Sequence, residues 1–117
     1  MTTEEASEVA SVLANSTRLE ILQLLHQSRN RGLIVGEIQK AVGLPGSTLS
    51  HHLERLKESG LVTIRRQGTF LWYIAVPDRV RSLADLLLRL SAGTRAARKV
   101  EIEAPPEAAA EVEIEAD

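Results

Sequence analysis

At Gly60 the chain changes its hydrophobic period. Before it, apolar residues recur at helical spacing; after it, LVTIRR (61–66) and FLWYIAV (70–76) are dense in β-formers, with Gln67-Gly68-Thr69 between them. This change predicts a helix followed at once by a hairpin on a short glycine turn. Upstream, residues 36–42 read as a short helix with Ile38, Ala41 and Val42 apolar. Gly43 suits its left-handed stop, and Leu44-Pro45-Gly46 makes a tight connection to a second helix over residues 47–59. Two short helices joined through such a turn form a helix-turn-helix. Followed directly by a two-stranded hairpin, the unit is a winged helix.

The flanking segments supply the rest of a small helical fold. Residues 3–14 read as a helix capped by Thr3, with Glu4 and Glu5 at its positive end and Ala6, Val9, Ala10 and Leu13 in one apolar stripe. Asn15 or Ser16 caps a second helix, to about residue 28. Its Leu19, Ile21, Leu22, Leu24 and Leu25 are too many for a narrow stripe, so it is expected at the centre of the core. Arg29-Asn30-Arg31-Gly32 breaks it, and Leu33-Ile34-Val35 has the character of a short strand. Pro77 opens a long helix over residues 77–97 with Val80, Leu83, Ala84, Leu87 and Leu90 on one face; Leu86 and Leu88 widen that face. A chain of 117 residues has little core to surround such a helix, so the face is expected to be a dimer seam. The predicted class is mainly α with a two-stranded β-hairpin, a winged helix-turn-helix in homodimeric form.

Charge is unevenly spread. Residues 100–117 carry seven acids and no Lys or Arg; residues 1–99 carry all 14 basic residues against nine acids, leaving +5. A basic body with an acidic tail points to a polyanionic partner for the body. The tail repeats VEIEA at 100–104 and 112–116 around a segment containing Pro105-Pro106, and reads as a mobile acidic extension (residues 99–117) to a domain over residues 1–98. There is no cysteine, which excludes disulfides, thiolate metal sites and a cysteine nucleophile. No apolar run reaches the roughly 20 residues of a membrane span, and the acidic N-terminus lacks the features of a secretory signal. The expected location is cytoplasmic. No carboxylate pair, activated nucleophile or glycine-rich phosphate loop is recognisable, so an enzyme is not expected and no cofactor is implied.

The second helix of the motif begins GSTLSHHLERLKESG, with two adjacent histidines. On a helical wheel Leu49, Leu53 and Leu56 share one side with His52 near them, while Ser47, His51 and Arg55 lie opposite, with Thr48 close by. Adjacent helical residues do not face each other, so His51 and His52 are not set to chelate one ion. His52 reads as a core-edge histidine with a satisfied hydrogen bond. His51, beside two hydroxyls and an arginine at a helix N-terminus, suits the major groove: hydroxyls and backbone amides hold phosphate, and His and Arg reach base edges. The candidate DNA contacts are Ser47, Thr48, Ser50, His51 and Arg55 on the helix and Arg65, Arg66 and Gln67 on the wing.

Three segments, LANSTRLEILQLL (13–25), GEIQKAVGLPGSTLSHHLERLKESGLV (36–62) and RRQGTFLWYI (65–74), together resemble the ArsR/SmtB family of winged-helix repressors. The resemblance covers about residues 6–92. It implies a homodimer joined by its first and last helices, here through Val9, Leu13, Leu83, Leu87 and Leu90. It also implies an inverted-repeat operator and an inducer that weakens DNA binding. The family's metal sites do not carry over: Ile34 and Gly36 stand at the thiolate site, and Pro77, Arg79, Leu90 and Gly93 at the last-helix site. Asp78 alone is no site. Gly46 replaces a common polar residue, and Thr69 a wing arginine, so base preference is expected to differ. Two other functions fit the residues less well. One is a metal-responsive repressor using His26, carboxylates or the acidic tail; the other is a winged-helix module that binds protein. The partners expected are double-stranded DNA and a second copy of the chain, with the inducer unknown and no membrane.

Overall fold

The computed structural model describes residues 1–92. The order is α1 (Thr3–Leu13), α2 (Ser16–Ser28), a 3₁₀ turn (Arg29–Arg31), β1 (Leu33–Ile34), α3 (Val35–Val42), α4 (Gly46–Glu58), β2 (Val62–Gln67), β3 (Phe70–Ala75) and α5 (Asp78–Ser91). Met1–Leu87 make one compact unit; the end of α5 from Leu88 belongs to a second.

Local chemistry sets the helix starts. Thr2, one residue before the expected cap, begins α1: its Oγ1 accepts from the Glu5 N–H at 3.0 Å, and Glu5 Oε1 accepts from the Thr2 N–H at 2.8 Å. The three-residue spacing from Thr2 to Glu5 is what a capping box requires. Asn15 Oδ1 caps α2 through the Arg18 N–H at 3.0 Å. Pro77 flanks α5 rather than opening it, its carbonyl accepting from the Arg81 N–H at 2.9 Å. The predicted continuation of α5 through residues 93–97 lies outside the described residues, as do Gly93 and the tail 99–117.

The hairpin is tighter than expected. Gln67 pairs with Phe70, so only Gly68 and Thr69 form the turn. Gly68 has φ +65° and Thr69 a negative φ, the pattern of a II′ turn, whose twist matches that of the strands. The early strand finds its place too. Leu33 pairs with Tyr73 and Ile34 with Trp72, giving three antiparallel strands in the order β1-β3-β2. Val35 starts α3 instead of prolonging β1.

The core joins Val9 and Val12 of α1, Ile21 and Leu25 of α2, Ile38 of α3, Leu49, Leu53 and Leu56 of α4, then Leu61, Val62 and Leu83. It is entirely aliphatic, and Phe70 sits exposed at the wing tip. Leu19, expected inside, is exposed. The buried stripe of α1 is Ala6, Val9 and Val12, not the expected row through Ala10 and Leu13. This bears on the dimer seam. Val9 is 0% and Leu83 7% exposed, so the monomer's own core consumes two of the five side chains expected to meet a partner. Leu13 is half-buried, whereas Leu87 and Leu90 are 53% and 73% exposed.

Candidate nucleic-acid interface

Helix α4 is fixed from behind. Leu49, Leu53 and Leu56 bury one face, and the α3–α4 turn is tied at two points by Gln39. Its carbonyl accepts from the Gly43 N–H at 2.8 Å, and its side-chain amide donates to the Leu44 carbonyl at 3.0 Å. Gly43 takes the left-handed conformation, φ 70°. These contacts set the angle at which α4 leaves α3.

The opposite face is open. Ser47, Thr48, Ser50 and His51 are all exposed. Pro45 occupies the N-cap position and offers no side-chain acceptor to the first turn. The positive end of α4 therefore lies beside two hydroxyls with none of its own carboxylates in that turn. This is the chemistry of phosphate capture. Gly46 also has room: a Cβ there would meet only Gln39 Nε2, at 3.8 Å.

His52 points inward, as expected. Its Nδ1 lies 3.3 Å from Arg18 NH1, while Arg18 Nε donates to the Val12 carbonyl at 2.7 Å. Arg18 thereby clamps the end of α1, the start of α2 and the middle of α4, a role for which the sequence carries no signal. Burial first, then the Arg18 charge and His51, hold the His52 pKa below its ordinary 6.5. The native state thus favours neutral His52, and the unfolded chain binds the proton more readily. That stabilisation is complete above pH 6.5 and is lost as pH falls through the lower native value. His52→Asn keeps an acceptor for Arg18 without titrating. Compared with this variant, the parent should lose denaturation midpoint progressively below pH 6.5, and a pH-independent difference would refute the assignment.

Two arginines expected to touch DNA are otherwise engaged. Arg55 turns toward α1, with NH1 3.5 Å from Glu8 Oε2 and 3.6 Å from Glu58 Oε1. Arg65 donates from NH1 to the Asn30 carbonyl at 3.0 Å and from NH2 to the Arg31 carbonyl at 3.1 Å. Successive strand residues project to opposite faces, so Arg65 and Arg66 cannot act as a pair. Arg65 anchors the wing to the 3₁₀ turn. Arg66 and Gln67 stay exposed near the tip, and among the described residues Arg66 makes no ion pair. Trp72, opposite Arg65 in the ladder, has the Arg31 and Arg65 guanidinium carbons 5.1 and 6.0 Å from its ring centre.

A family profile described as "Helix-turn-helix domain" matches residues 13–65. An uncharacterized helix-turn-helix transcriptional regulator of Methanocaldococcus jannaschii is 38% identical over 84 residues, covering 72% of this chain and 92% of that one. The arsenical resistance operon repressor of Staphylococcus aureus is 36% identical over 73 residues, 62% of this chain and 67% of that one. The chain belongs to the ArsR family. Among solved structures, the ArsR regulator fold described above is similar to the homodimeric winged helix-turn-helix DNA-binding domain of a possible ArsR-family regulator from Mycobacterium bovis. That match has a TM-score of 0.60 at 33% identity and covers 80% of this chain and 84% of the other. This ArsR protein is thus a transcriptional regulator with a DNA-binding helix-turn-helix, and its relatives are regulators rather than enzymes. Among its described residues no three His, Cys, Asp or Glu side chains cluster to hold a metal ion. No described helix is long and apolar enough to cross a membrane.

Proposed function

We propose that the protein is a homodimeric repressor that places its two α4 helices in successive major grooves of an inverted-repeat operator. The observation that carries this is the uncapped, carboxylate-free N-terminal turn of α4, with Ser47, Thr48, Ser50 and His51 exposed beside it. Serine and threonine hydroxyls and the first-turn amides hold phosphate, and His51 reaches a base edge. Arg66 and Gln67 of the wing take flanking backbone. Arg55 and Arg65 position these elements rather than touching DNA. Domain 1–98 does this work, and 99–117 is an acidic appendage to it.

Dimerisation rests on the exposed leucines of α5, Leu87, Leu88 and Leu90, which a lone chain leaves in water. The homodimeric state of the M. bovis domain supports the same arrangement here. Two-fold symmetry would set the two helices about 34 Å apart, or a multiple of that. A dimer so placed blocks transcription sterically, in line with the repressor role of the S. aureus relative.

The test is fluorescence anisotropy of the full chain on the duplex upstream of its own gene, against a scrambled duplex, over a salt series. Sequence-dependent binding with a steep salt slope is expected. No binding even at low salt would remove the proposal. Arg66→Ala should weaken operator and scrambled duplex alike and reduce the salt slope by about 1 per protomer, since it removes one phosphate contact.

A further inference from the structure

The C-terminal half of α2, the 3₁₀ turn and the start of α5 form an open cleft of about 740 Å³. Its volume falls within the roughly 300–1,000 Å³ of small-molecule sites. Its apolar lining is buried Leu25 and half-buried Leu22 from α2, with half-buried Val76 and the more exposed Val80 on the other wall. The rim carries His26, Arg29 and Arg81, and no lining residue is acidic. Among the described residues neither Arg29 nor Arg81 makes an ion pair. The carbonyl end of α2 is weakly negative, so recognition of an anion falls to these side chains.

We propose that this cavity binds a small amphipathic anion, a carboxylate on an apolar body, and that the bound ligand acts on the wing. The apolar body covers the leucine and valine lining, and Arg29 and Arg81 hold the head group at the rim. The route to the wing is short. Arg29 and Asn30 line the cavity, and the Asn30 and Arg31 carbonyls are the acceptors that hold Arg65. Arg29 has φ 56° and ψ −137°, the only non-glycine residue with positive φ among those described. A turn that already holds this strain is the element a ligand on Arg29 would shift. Trp72, the only tryptophan, reports the shift because both Arg31 and Arg65 lie against it. The coupling to DNA rests on the repressor function proposed above; the binding site does not.

The probe is decanoate, titrated below micelle formation into the full chain and read by Trp72 fluorescence. A saturable change is expected, with decan-1-ol at least about tenfold weaker because it lacks the charge for Arg29 and Arg81. Arg81→Glu should weaken decanoate by a similar factor. Arg29→Gly should also weaken it while raising the melting temperature, since glycine takes positive φ without strain. Equal midpoints for acid and alcohol, or unchanged decanoate binding in both variants, would overturn the site. So would decanoate that binds only as the dimer dissociates, which would assign the cavity to a second copy. In a parallel titration on operator DNA, decanoate should release the parent and spare both variants. Release equal in all three, or none, would overturn the link to the wing. If the chain binds no DNA, the repressor function fails while the fluorescence titration still decides the site.

Discussion

A Thr48→Glu chain is expected to fold more stably than the parent and to bind operator DNA about 100-fold more weakly, a loss near 2.7 kcal/mol. Both effects come from one charge. With Pro45 at the N-cap, Thr48 is the third residue of α4, where a carboxylate faces the positive helix end and adds about 0.3–1 kcal/mol to stability. Bound DNA would place phosphates at that same end, and the new carboxylate would repel them while filling the donors they need. Opposite signs separate the DNA-contact role from simple damage, which lowers stability and affinity together. Urea denaturation and anisotropy on the operator measure the two quantities, with Thr48→Gln as the neutral control. Parent-like affinity in Thr48→Glu would mean that the start of α4 does not face DNA. Arg55→Gln offers a contrast: it removes partly exposed ion pairs to Glu8 and Glu58 worth up to about 1 kcal/mol, so its effect falls on stability more than on DNA.

What could be seen in the sequence was what is local. The stop at Gly43, the turn at Gly68, a cap at Asn15 or Ser16 (the structure uses Asn15) and the burial of Leu49, Leu53 and Leu56 all depend on residues within a turn or two of each other, and the pattern of types states them. The exposed set on α4 followed from the same periodicity. The fates of the arginines did not. Arg65 finds its acceptors 34 and 35 residues back along the chain, and Arg55 finds Glu8 47 residues back. A one-dimensional pattern marks such a residue as charged without saying what it meets. Arg65-Arg66 read as a pair only until strand alternation separates them. Val9 and Leu83 misled for a related reason: an apolar stripe shows that a face is covered, and whether the cover comes from the same chain depends on packing between α1, α4 and α5.

Gly32 should be the position least tolerant of any side chain. It joins the 3₁₀ turn to β1 at φ 76° and ψ −178°, a conformation populated almost only by glycine. The space is also taken. A Cβ would lie 2.7 Å from the Tyr73 carbonyl oxygen and 2.8 Å from Ile74 Cγ1, and the oxygen belongs to the central strand of the sheet. Backbone strain of about 1–3 kcal/mol and overlap of about 1–3 kcal/mol act together in Gly32→Ala. For a domain of this size each 1 kcal/mol moves the melting temperature by roughly 4–8 °C, so a fall on the order of 20 °C is expected. Gly36→Ala is the matched control, since nothing lies within 4 Å of its Cβ position and it sits inside α3. Alanine there should stabilise by about 0.4–1 kcal/mol. A thermal melt of the two variants against the parent measures both. A Gly32→Ala chain that melts like the parent would show that β1 does not sit against β3 as described, and the carbonyls of Asn30 and Arg31 would then lose their claim to anchor the wing through Arg65.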